Sequence, residues 1–123
     1  MKKLIVTIGI LAVLLGAISS ALAAPAKPPT TGNAILLCVD WSAHCQKIKP
    51  VWSQFIQKTK AAGYPVTITT VNCEQNPDLC QLYPVRGFPT IYFEASDGRR
   101  LEYQGPRDAA SLSNFMVQLL SNP

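Results

Sequence analysis

Histidine is almost missing from this sequence: His44 is the only one in 123 residues. A lone imidazole argues against a metal centre built on histidine, and neither a metal nor a cofactor is expected. Charge is also scarce, with 11 basic and seven acidic side chains making up 15% of the chain. So even a balance argues against nucleic acid as the main partner. No internal repeat or low-complexity block is present, which sets solenoids and compositionally biased segments aside. One long apolar run exists, Leu4 to Ile18, interrupted by Thr7, Gly9 and Gly16. It falls short of the roughly 20 apolar residues a helix needs to cross a bilayer.

What that run does resemble is the middle of a secretory leader. Met1-Lys2-Lys3 supplies a basic start and Ala21-Leu22-Ala23 offers small residues for cleavage, which completes the three-part layout of a signal peptide. We therefore expect residues 1–23 to be removed on export, with no stable membrane insertion afterwards. Loss of Lys2 and Lys3 leaves 100 residues with nine basic against seven acidic side chains, enough for one modest core. Residues 24–33, rich in Pro, Ala and Thr, read as a flexible leader, and 34–123 as the folded domain. Export places Cys38, Cys45, Cys73 and Cys80 in an oxidising environment: periplasm, secretory lumen or, if the protein is secreted, the exterior. Pairing is expected there, and four cysteines allow three full connectivities.

Within the domain, Ala34 to Val39 is a continuous apolar run, as expected of a strand covered on both faces. From Ile48 the apolar residues fall at 48, 51, 52, 55 and 56, the stripe of a one-sided helix, which Gly63 and Pro65 close. Val66 to Val71 is dense in β-branched residues and reads as a second strand. Asn76-Pro77 can start a short helix running to about Tyr83. Thr90 to Glu94, a turn at Ser96-Asp97-Gly98 and Arg100 to Tyr103 form a hairpin. Asp108 then caps a last helix striped by Leu112, Phe115, Met116, Leu119 and Leu120. The expected fold is α/β: a mixed sheet of about four strands with about three helices layered on it, the first two strands parallel by the crossover rule.

Trp41-Ser42-Ala43-His44-Cys45 stands where the first strand ends and the long helix begins. This segment closely resembles the Trp-Cys-Gly-His-Cys active site of the protein disulfide isomerase family. Pro50 and Trp52, the stretch Val85-Arg86-Gly87-Phe88-Pro89-Thr90, and Tyr103-Gln104-Gly105-Pro106-Arg107 match other family landmarks in the right order. The resemblance implies a minimal thioredoxin-like sandwich. It also implies a substrate groove around Trp41, Phe88 and Pro89, the last matching a cis-proline that faces extended substrate. Cys45 corresponds to the family's inner cysteine, with His44 and Arg107 in positions that tune thiols. A thiol at a helix N-terminus meets unpaired N–H groups and the positive end of the dipole, which favours thiolate.

Departures from the family bear on activity. Ser42 stands in place of the outer, attacking cysteine; serine is a favoured N-cap but has no disulfide chemistry. Leu36 replaces a buried acid, and no room is left between Ala24 and Asn33 for the family's extra N-terminal strand and helix. By the same resemblance Cys73 and Cys80 are expected to form a structural bridge, stabilising by about 2–3 kcal/mol. Cys38 shares a strand face with Leu36, beneath the helix of Cys45, so it is either a small core residue or a partner for Cys45. Two functions stay open: an isomerase-like enzyme using Cys45 as its only motif thiol, or a redox-inactive binding or structural module. Either would be a monomer meeting unfolded or cysteine-containing secreted polypeptides.

Overall fold

The computed structural model describes residues 30–121. The expected signal peptide and most of the expected leader therefore lie outside the described residues. Seven elements follow one another: β1 (Gly32–Cys38), α1 (Ala43–Ala62), β2 (Val66–Asn72), α2 (Pro77–Cys80), β3 (Thr90–Ala95), β4 (Arg100–Glu102) and α3 (Ala109–Ser121). The strands form one sheet in the order β2-β1-β3-β4. β1 runs parallel to β2 and antiparallel to β3, and β4 returns antiparallel to β3. This is the mixed four-stranded sheet with three helices that the pattern of apolar runs predicts.

β1 starts two residues earlier than its apolar run, inside the stretch read as leader. Gly32 already pairs with Val66 on one side and Ala95 on the other. A Cβ there would stand 2.5 Å from the Glu94 carbonyl oxygen and 2.8 Å from a Leu120 methyl, so only glycine permits this approach. Alternation along β1 then feeds two cores. Ala34, Leu36 and Cys38 face one, with Cys45, Ile48, Trp52 and Phe55 of α1, Phe93 of β3 and Leu112, Met116 and Leu120 of α3. Ile35 and Leu37 face the other, a smaller cluster with Val71, Tyr92 and the flanking Cys73, Cys80 and Tyr83.

Both long helices thus lie on the same face of the sheet, and among the described residues the other face carries the one-turn α2 and the loop after it. α2 is shorter than expected: it ends at Cys80 rather than near Tyr83. Asn76 makes no side-chain cap bond to this helix; its side-chain amide donates to the Asn72 carbonyl at 3.1 Å. Asn72 instead organises the turn, its Oδ1 accepting the N–H groups of Glu74 and Gln75 at 2.9 and 3.3 Å. Gly63 ends α1 in the left-handed conformation, φ 69°, where a side chain would be strained. Asp108 starts α3 as expected, its Oδ1 accepting the Ser111 N–H at 2.8 Å.

Candidate functional site: the start of α1 and the cis-proline loop

Ser42 holds the start of α1. Its backbone is extended, with φ −83° and ψ 122°, and its hydroxyl accepts the N–H of Cys45 at 3.3 Å. That is the N-cap bond expected of serine, and it points the hydroxyl at the backbone rather than outward. Ser42 is buried, while Trp41 beside it is 73% exposed. The Trp41 ring meets Phe88 edge to face, centroids 6.2 Å apart and planes at 88°. The Phe88–Pro89 peptide is cis. Trp41, Ser42, His44, Val85, Arg86, Gly87 and Phe88 line an open groove of about 580 Å³.

The expected site residues are only partly gathered there. Trp41, Ser42, His44 and Phe88 share the groove. Arg107 lines a neighbouring depression of about 220 Å³ with His44, Lys47 and Ile48. Pro89 is buried, does not line the groove, and lines a third depression, again with Arg107. Cys45 lines none of these. It is 0% exposed and bonded to Cys38, itself 4% exposed, with 5.8 Å between their Cα atoms. Of the two roles open to Cys38, core residue or partner of Cys45, the structure has the partner, so the motif's one thiol is held in a disulfide. Alternation of β1 turns Cys38 towards the first turn of α1, within bonding reach of the only cysteine there. Cys73 and Cys80 form a second bond, Cα atoms 5.7 Å apart, across the turn that follows β2.

A clamp on the second face positions the loop that carries Phe88. Arg100 of β4 donates through Nε to Glu94 at 2.8 Å and through a terminal nitrogen to the Leu82 carbonyl at 3.0 Å. Its guanidinium also lies 4.4 Å from the centre of the Tyr83 ring. Tyr83 donates to Glu94 at 3.1 Å, and Tyr92 donates to the Pro84 carbonyl at 2.6 Å. Burial raises the pKa of both phenols; for Tyr83 the adjacent Glu94 carboxylate adds to the effect. Nearer the turn, the Thr90 hydroxyl donates to the Gly87 carbonyl at 2.7 Å. Sequence reading missed this network because its members are up to 18 residues apart and carry no local motif.

The profile of the thioredoxin family matches residues 33–118, all of the sheet but its first residue and most of the last helix. The chain belongs to the thioredoxin family. Among curated relatives, thioredoxin domain-containing protein 5 homolog of Drosophila melanogaster is 32% identical over 100 residues, which is 80% of this chain and 24% of that protein. Probable protein disulfide-isomerase A4 of Caenorhabditis elegans is 38% identical over 77 residues, 63% of this chain and 12% of that protein. This thioredoxin-family chain thus spans a quarter or less of the length of these relatives. A crystal structure of human ERp44 superposes with a TM-score of 0.67 at 24% identity, over 75% of this chain and 26% of that one, a likeness of fold.

Chemically, the arrangement offers an aromatic-walled groove at a helix N-terminus with no sulfur presented in it. Among the described residues no cluster of three metal-ligating side chains occurs, and no helix is long and apolar enough to cross a membrane.

Proposed function

We propose that this is an exported protein of the protein disulfide isomerase type that binds extended segments of secreted polypeptides in the Trp41–Phe88 groove, with dithiol exchange lost or much weakened. One observation carries the reading: Ser42 fills the outer thiol position as a helix cap, and Cys45 is buried and bonded to Cys38. Thiol exchange requires a thiolate with access to its target, whereas peptide binding requires only the groove walls. Export rests on residues 1–23 acting as a signal peptide ahead of a leader, with the domain working as a monomer in the periplasm or a secretory lumen. Two assays on the exported chain test this together. Wild type and Cys45→Ala should be equally poor in insulin reduction and in refolding of scrambled ribonuclease, while Trp41→Ala and Phe88→Ala abolish peptide binding. Robust reductase activity that disappears in Cys45→Ala would refute the reading.

The Cys38–Cys45 bond itself favours a second reading, a relocated redox pair. A substrate dithiol would be oxidised to its disulfide as Cys38–Cys45 is reduced to two thiols, the substrate's two protons and two electrons passing to the pair. Helix-dipole stabilisation of the Cys45 thiolate would assist. Loss of activity in Cys38→Ala as well as Cys45→Ala marks this case.

A further inference from the structure

The groove carries charge of one sign. Arg86 lines its main part with Trp41, Val85 and Phe88, while Lys47 and Arg107 line the depression beyond. His44 belongs to both, so the two adjoin at this residue. No carboxylate lines either one. The ion pairs among the described residues are Lys49 with Asp40, Arg99 with Asp97 and Arg100 with Glu94, and none involves Arg86, Lys47 or Arg107. The acids closest in sequence are engaged elsewhere. Asp40 faces Lys49 at 3.9 Å, and Asp108 accepts the N–H and the hydroxyl of Ser111 at 2.8 and 2.9 Å. Glu102 shares the next depression, around Pro89, with Arg107 but lines neither of these two, and its carboxylate accepts the Gln104 side-chain amide at 3.4 Å.

We propose that this track selects extended polypeptide segments in which an apolar side chain is flanked on both sides by Asp or Glu. The inference rests on the groove reading above and names its substrate class. The apolar residue would lie against Trp41, Val85 and Phe88. One acidic flank would meet Arg86, and the other would meet Lys47 and Arg107 across His44. Each exposed charge pair contributes little alone and is weakened by salt. Three cations with no acid between them act in the same direction, and a guanidinium can hold a carboxylate through two hydrogen bonds.

The test uses the exported chain and fluorescent peptides of equal length, each with a central Leu-Phe pair flanked by Glu, by Gln or by Lys. Anisotropy should show the Glu peptide binding about tenfold more tightly than the Lys peptide at low salt, with the Gln peptide between them. The preference should collapse at high salt. The double variant Arg86→Glu with Arg107→Glu should reverse the order. Equal affinity for all three peptides, or an order indifferent to the double variant, would overturn the charge selection and leave the groove reading standing. Peptide binding that survives Trp41→Ala and Phe88→Ala would instead remove the groove reading, and this inference with it.

Discussion

The two disulfides close loops of the same length, each with a sequence separation of 7, yet they should not contribute equally to stability. In the chain-entropy account such a loop restricts the unfolded ensemble by about 2.4 kcal/mol at room temperature. Both bonds share that contribution. Cys38 and Cys45 are 4% and 0% exposed and belong to the main core, whereas Cys73 and Cys80 are only partly buried at the edge of the smaller one. Replacing each pair by alanine removes two sulfurs, and a core cavity of that size costs about 1 kcal/mol per atom where nothing collapses into it. The Cys38→Ala, Cys45→Ala protein should therefore lose about 4–5 kcal/mol, and the Cys73→Ala, Cys80→Ala protein about 2–3 kcal/mol. Urea unfolding of the oxidised proteins measures both, and the gap should separate their midpoints by roughly 1–2 M. Equal losses would refute the argument, because they would mean that burial of the first pair adds nothing beyond loop closure.

Four further outcomes are expected. Under graded reductant, Cys73–Cys80 should open before Cys38–Cys45, read by mass-tagging of free thiols, since attack needs access to sulfur; the reverse order would contradict the burial of Cys45. Ser42→Ala should cost about 1 kcal/mol in urea unfolding by removing the acceptor of the Cys45 N–H, and an unchanged midpoint would deny the cap a role. Ser42→Cys should raise insulin reductase activity, more so with Cys38→Ala, which frees Cys45 to act as partner; no gain in either protein would mean the groove is not a latent dithiol site. Burial raises the phenol pKa values of Tyr83, Tyr92 and Tyr103. Their unfolded forms therefore lose protons first, and stability should fall as pH rises above the ordinary tyrosine value towards the raised ones. Alkaline phenolate titration of folded and urea-unfolded protein checks this, and coincident curves would refute it.

Local chemistry determined much of this protein on its own. Apolar spacing located the buried stripes of α1 and α3, β-branched density located β2, and the uninterrupted run after Asn33 announced a strand covered on both faces. Serine and aspartate ahead of apolar stripes marked both long-helix starts, and each forms the cap bond its position implied. Trp41 and Phe88 could be assigned to one groove because they sit in matched family segments. Tertiary structure decided the rest. Whether Cys38 was a core residue or a partner depended on how β1 and α1 approach one another, a distance that spacing along the chain does not contain. The early start of β1 at Gly32 needed two flanking strands to pair with it. Likewise the Arg100, Glu94 and Tyr83 clamp and the run of cations along the groove arise from residues distant in sequence and brought together by the fold. Helix caps and apolar stripes depend on neighbours a turn away, so a sequence displays them. Disulfide partners, clamps and charge tracks depend on packing between elements, which only the folded chain supplies.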